Sequence, residues 1–414
     1  MKIKYSALES LQIIVLLILF GLKLIPQFQY SFAGTFWSLA YQGMFVFWLL
    51  LTMFESGVWF RYLRSYYKNW TLWIVFLLLG FLLFPNTQLG FLSLNLTFWE
   101  PMLMFYYYTE IKEDNRITTF VSIASVAFLI FGLVQSIQSV NVNELAAREA
   151  SSGHSSEDGA LTGNYSFTAT LSILIPVGIA ALKSKINTIW KIISMVGIAL
   201  SIYFVLHCNL MISIICMLLA FPIFLLFSAN TEGTINRKSF VMAILFVLVI
   251  VAFPYWKGVL ISLFSLISEI AGTSEIEKKV MQLTALLNGS LVGNVNSRFE
   301  LCVIAIRTFL KNPIIGIGPQ NNADIYFLTQ LGLHATFFDD LARYGIVGMS
   351  IMISTYYSWY KSLRCSFVDG SGLTPIKSGI ILYIIISMLN PTISANVGIV
   401  LFFILPALSK AISE

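Results

Sequence analysis

Apolar positions in this chain come in long unbroken runs, not in the alternation of a strand or the one-sided stripe of a soluble helix. Each run is about the 20 residues that a membrane-spanning helix needs. Twelve are predicted, near 8–25, 33–54, 71–85, 89–108, 117–138, 165–182, 190–206, 209–227, 240–255, 341–360, 378–390 and 394–410. The pattern predicts an all-α integral-membrane protein, a single polytopic domain over residues 1–414 with about twelve transmembrane helices. The first run follows Lys2 and Lys4 and lacks a small-residue cleavage site, so it reads as a retained span. Composition agrees: 57% of residues are hydrophobic and 11% charged, against about 25% charged in a soluble protein.

The polar stretches give the orientation. Numbering the gaps between runs puts sixteen Lys and Arg residues on one side and nine on the other. Most of the nine fall in one long loop, and long loops escape the positive-inside rule. Both termini are therefore expected in the cytoplasm. Two loops are expected outside: residues 139–164, and residues 256–340, far longer than a connection requires. The long loop opens with an amphipathic stretch, 258–272, suited to the membrane interface.

Within that loop, "KNPIIGIGPQNN" (311–322) sets Gly316 and Gly318 one residue apart just after Pro313. A lone Gly-x-Gly is weak evidence for phosphate binding, and an outward loop meets no ATP or NAD. The net charge of +5 comes from residues scattered among membrane loops, so nucleic acid is not an expected partner. Cys208, Cys216, Cys302 and Cys365 show neither CxxC spacing nor a histidine cluster, and read as small hydrophobes. Carboxylates with metal-ligand spacing are lacking, so no metal and no cofactor is expected.

Read more widely, residues 297–348 combine Ser297-Arg298, a helix, Asn312-Pro313, Gly316 and Gly318, His334, and Gly345 with Gly348. This block resembles the O-antigen polymerase and ligase superfamily, as does the order of many spans, a long late loop and a few more spans. Cys302 stands where that family often has tryptophan, and "LHCNLM" (206–211) falls where many members have Ser-Arg. The resemblance implies a GT-C-like glycosyltransferase architecture with short helices in the outer loop. It implies a cell-membrane enzyme acting on the outer face. The implied donor and acceptor are oligosaccharide repeat units on polyprenyl diphosphate, and the implied reaction is their polymerisation into O-antigen, capsule or exopolysaccharide. Membrane lipids, a chain-length regulator and a flippase are the partners of such a pathway. Two alternatives stand beside it: a ligase moving the finished glycan to a lipid or wall acceptor, and a transporter of polyprenyl-linked glycan. Internal repeats and mid-membrane charges would mark a transporter; the polar residues gather instead in loops.

Glycosyl transfer from a diphosphate needs fixed positive charge for the leaving group and a base for the acceptor hydroxyl. Arg298 and Arg307 are nine residues apart on a predicted helix from Arg298 to Leu310, so they lie on opposite faces. Glu300 shares a face with Arg307 and gives it a structural explanation, which leaves Arg298, at the family position, for the diphosphate. Arg148 in the 139–164 loop and Arg307 are the further candidate substrate-binding cations. Of the histidines, His154 reads as a solvated loop residue and His207 as a helix-end residue. His334 precedes Thr336 and Asp339, which have capping-box spacing. A helix starting there would gather anions and disfavour imidazolium, leaving His334 able to accept a proton. Asp339 is four residues from Arg343, the spacing of a helix pair, or it orients His334 or the acceptor. Asn312-Pro313 is expected to end the Arg298 helix, and the glycines to fold it back towards His334.

Overall fold

The computed structural model describes residues 6–31, 35–55, 67–84, 87–142, 162–208, 210–228, 294–320, 331–367 and 372–413, with scattered positions between 258 and 284. The helices are α1 (Ala7–Leu24), α2 (Pro26–Ser31), α3 (Thr35–Glu55), α4 (Lys68–Leu83), α5 (Leu89–Tyr106), α6 (Asn115–Val142), α7 (Tyr165–Lys183), α8 (Thr188–His207), α9 (Met211–Ser228), α10 (Asn294–Lys311), α11 (Thr336–Ser366), α12 (Leu373–Leu389), α13 (Ala395–Ile399) and α14 (Leu405–Ser413). Two π-helical turns, Tyr107–Ile111 and Val400–Ile404, continue α5 and join α13 to α14. Among the described residues there is no strand.

Eleven of the twelve predicted runs coincide with these helices; the twelfth, 240–255, lies outside the described residues. Six helical stretches among the described residues are long and apolar enough to cross a membrane. The stretches Lys68–Leu83, Ile212–Ser228 and Leu373–Leu389 are apolar but shorter. Helix α11 has 31 residues, yet its first turns carry Asp339, Asp340 and Arg343. Of the amphipathic stretch at 258–272 only Gly258, Ile261, Ser262, Ser265, Leu266 and Glu269 are described, all of them helical, and most of the 139–164 loop, with Arg148 and His154, lies outside the described residues.

In hydrocarbon the hydrophobic effect does not draw helices together, so packing and interhelical hydrogen bonds must. Aromatic rings do much of this. Trp73 meets Tyr344 edge-on at 5.1 Å, Trp99 stacks on Phe402 at 5.3 Å, and Trp359 meets Phe402 at 5.2 Å. Such pairs contribute about 0.5–1.5 kcal/mol each beyond burial. The Tyr344 hydroxyl bonds to Asn95 Oδ1 at 3.3 Å, fixing α11 to α5. Helix α10 packs along α11, and α11 packs on α4 and α12.

Candidate functional site

The site begins with a broken helix. At Gly345 the backbone of α11 turns to φ 59°, ψ −166°, although helix continues on both sides. A break of this kind strands carbonyls before it and N–H groups after it, and each unsatisfied buried group costs about 1–3 kcal/mol.

The turn after α10 supplies the missing partners. Ile317 and Gly318 donate N–H to the carbonyls of Ala342 and Arg343 at 3.1 and 2.9 Å. Ile346 and Val347 donate to the carbonyls of Pro313 and Ile314 at 2.8 and 3.0 Å. Backbone must approach backbone for this. A Cβ on Gly316 would lie 2.3 Å from the Arg343 carbonyl oxygen, and one on Gly345 2.5 Å from that of Ile314. Gly316 and Gly318 also have φ of 68° and 89°, the region that glycine enters without strain. The "NPIIGIGP" stretch and the Gly-x-x-Gly at 345–348 are thus one interlocked unit. As expected, α10 ends before Pro313, and the turn that follows is bonded to the break in α11.

The segment before α11 carries His334. Asp339 reaches back over it: Oδ1 accepts from the N–H groups of Gly332 and Leu333 at 2.9 and 3.1 Å, and Oδ2 from Ala335 at 3.4 Å. Leu333 is held at φ 56°, a left-handed conformation that costs a branched residue about 1–2 kcal/mol. The three hydrogen bonds offset that cost and fix the main chain on both sides of His334. The side chain of His334 is exposed. It borders a closed packing seam, too narrow for a water molecule, with Leu301, Cys302 and Ala305 of α10 and with Phe338. A Cβ on Gly332 would lie 2.5 Å from the Leu301 carbonyl oxygen, so this loop lies directly against α10.

Three local expectations change. The expected capping box does not form. Helix α11 starts at Thr336 with Ala335 as N-cap and no side-chain cap bond. Thr336 Oγ1 instead accepts from the Thr392 N–H at 2.7 Å, and the anion at the helix start is Asp339 itself. Arg343 does not pair with Asp339. Its Nη1 donates to Asp340 Oδ1 at 3.0 Å, its Nε donates to the Gln320 carbonyl at 2.9 Å, and its guanidinium lies 4.5 Å from the Phe91 ring centre. The expected Glu300–Arg307 pair is also missing: Arg307 is exposed and has no ion-pair partner among the described residues.

Asp339 and Asp340 are both buried. Burial raises the Asp339 carboxyl above its usual range, with Arg343 and the three N–H groups pulling the other way. Burial also pushes Asp340 up to about 7, against the pull of Arg343.

Arg298 lies within α10, three and four residues before Leu301 and Cys302 and seven before Ala305. Its position therefore falls on the helix face that meets the His334 loop, while Arg307 falls on the opposite face. His207 ends α8, stacks on Tyr203, and donates from Nδ1 to the Tyr203 carbonyl at 2.8 Å. Cys208 and Cys216 are buried, Cys302 borders the seam, and Cys365 is exposed.

Sequence reasoning missed two features. One is the Asp340–Arg343–Gln320 chain over Phe91, for which three-residue spacing was the only signal. The other is Glu100 in α5, a lone acid in an apolar run, which is the available clue to such residues. It is buried, and neither carboxylate oxygen has a hydrogen-bond partner among the described residues; Gln42, Lys23 and Tyr41 are polar neighbours.

Comparison with known proteins bears on the same block. No curated protein matches the chain. Residues 196–353, from within α8 through the interlocked turn and past the break in α11, match the family described as O-antigen ligase. The match spans the block at 297–348 whose motifs resemble the O-antigen polymerase and ligase superfamily, and it agrees with that resemblance.

Proposed function

We propose that this protein polymerises polyprenyl-diphosphate-linked glycan repeat units on the extracytoplasmic face of the membrane. The observation that carries the reading is the close packing of the His334 loop on α10. It brings an exposed histidine, with its main chain fixed on both sides, against the helix face to which Arg298 belongs.

The chemistry follows from those positions. An acceptor sugar hydroxyl attacks the anomeric carbon of the donor. Its oxygen forms the new glycosidic bond as the bond from that carbon to the diphosphate breaks. His334 takes the hydroxyl proton, and Arg298 stabilises the charge on the departing polyprenyl diphosphate. Arg343 is committed to Asp340 and Gln320, so it serves the frame. Asp339 serves best as a positioning residue for His334, because its oxygens are occupied by backbone. Arg148 and Arg307 remain as further substrate-binding candidates, Arg307 because its guanidinium is exposed.

The second reading, a ligase, is favoured by the description of the matched family. One experiment separates the two. The purified protein is given one lipid-linked repeat unit and nothing else. A ladder of lipid-linked oligomers is the expected result. Product that appears only after a second acceptor is added would establish the ligase and remove the polymerase reading.

A further inference from the structure

Away from the α10–α11 site, helices α6, α7, α8 and α14 enclose a groove of about 360 Å³. That is within the roughly 300–1,000 Å³ of small-molecule sites. Its wall is apolar, with Leu133, Leu171, Ile193, Ile198 and Leu408 among the lining residues. The hydroxyl of Ser201, which also lines it, is spent on its own helix, donating to the Gly197 carbonyl at 2.8 Å. Nothing lies within 4 Å of where a Gly197 Cβ would sit, so this glycine borders open space. Neither α10 nor α11 contributes to the wall.

The groove has a charged end. The lining residues Thr119, Ile186 and Trp190 belong to the start of α6, the α7–α8 link and the start of α8, which also carry Arg116, Lys185 and Lys191. Lys185 and Lys191 are sequence neighbours of the lining residues Ile186 and Trp190, and Arg116 lies one turn before Thr119. Arg116 and Lys185 are exposed and Lys191 is half-buried. None of the three has an ion-pair partner among the described residues. Lys183 is nearby but lies over the Phe224 ring at 5.0 Å. The positive-inside count assigns this end to the cytoplasm.

An apolar groove with unpaired cations close in the chain to its lining residues suits an anionic lipid. We propose that the groove seats an acyl chain of an anionic glycerophospholipid from the cytoplasmic leaflet, with Arg116, Lys185 and Lys191 holding its phosphate. Basic pockets between helices at that face are suited to such headgroups. Because the groove and the α10–α11 site share no element, the lipid is a separate ligand and not the tail of the glycan donor.

The test uses the full-length protein, stripped of lipid in detergent and titrated with palmitoyl-oleoyl phosphatidylglycerol or phosphatidylcholine. Retained lipid is counted by native mass spectrometry. Phosphatidylglycerol is expected to bind at least about tenfold more tightly. The triple change Arg116→Gln, Lys185→Gln, Lys191→Gln should abolish that preference and leave phosphatidylcholine retention unchanged. Gly197→Trp should remove the tightly held phosphatidylglycerol, with Gly197→Leu as the smaller plug should the tryptophan variant not fold. Equal retention of the two lipids by the unaltered protein would overturn the proposal, as would a preference that survives the triple change. Tighter retention of a polyprenyl phosphate than of phosphatidylglycerol would also overturn it and assign the groove to the carrier lipid. The readout does not involve glycan synthesis, so it stands or falls apart from the polymerase reading.

Discussion

Glycine does opposite things at the two sites. At the α10–α11 interlock, Gly316 and Gly345 are points where one backbone presses on another, and an added Cβ would sit inside van der Waals distance of a carbonyl oxygen. At the α8 groove, Gly197 faces a space that a Cβ would enter without touching anything. The first arrangement trades side-chain volume for hydrogen bonds between segments. The second leaves a void in the wall of a bundle. A glycine in an apolar run therefore has no single meaning; its neighbours in space supply it.

The sharpest way to break the comparison is to make one substitution at both places. Gly316→Ala should destabilise the protein by more than about 3 kcal/mol, because a left-handed alanine and a clash with Arg343 add to the hydrogen bonds at risk. Expression as folded monodisperse protein, and its thermal midpoint, measure this. A midpoint within a few degrees of the unaltered protein would show that the interlock is not a source of stability.

The next prediction asks whether the frame serves chemistry. His334→Ala should lower turnover by about 10²–10⁴-fold while the thermal midpoint holds, since the side chain is exposed. His334→Gln keeps a hydrogen-bond donor but is a very poor base; a near-normal rate there would move His334 to a binding role. Asp339→Asn should cost roughly tenfold in kcat with little change in KM, by loosening the main chain around His334 and not by touching substrate. A change confined to KM would instead place Asp339 against the glycan.

Asp340 offers a pH test of the same frame. Its carboxyl titrates near 7 in the folded protein and near 3.9 when unfolded. Between those values the folded state binds more protons, so this group's contribution to stability falls as pH rises through that window and levels off above it. Asp340→Asn should flatten that part of the stability profile. An unchanged slope would remove Asp340 as its source. The smallest effect belongs to Gly197→Ala, expected to be neutral or to stabilise by up to about 1 kcal/mol, as alanine does in a helix interior. Destabilisation comparable to Gly316→Ala would dissolve the contrast between the two glycines.

The helices were legible because a membrane span writes itself as an uninterrupted apolar run, and the end of α10 was legible because Asn312-Pro313 stops a helix locally. The break at Gly345 was not. "ARYGIVGMS" reads as the opening of a continuous span, and only the four main-chain bonds from residues 313–318 make a break affordable there. The carboxylates show a similar limit. Spacing of three or four residues allowed Arg343 to pair with Asp340 or Asp339; burial and the needs of the 332–335 backbone decided which. Of the candidate site, the positions of His334 and Arg298 followed from motif. Asp339's hold on the main chain around His334 depended on a non-glycine residue, Leu333, entering a conformation that sequence gives little reason to expect.

The interlock also bears on how the molecule is made. The 313–318 turn leaves the ribosome before α11 does, and at that moment its amides at Ile317 and Gly318 have no carbonyls to meet. The first turns of α11 are equally incomplete until the turn is beside them. Neither segment is a finished object that waits for the other. The packing around His334 therefore requires both segments, and a chain halted before α11 lacks it.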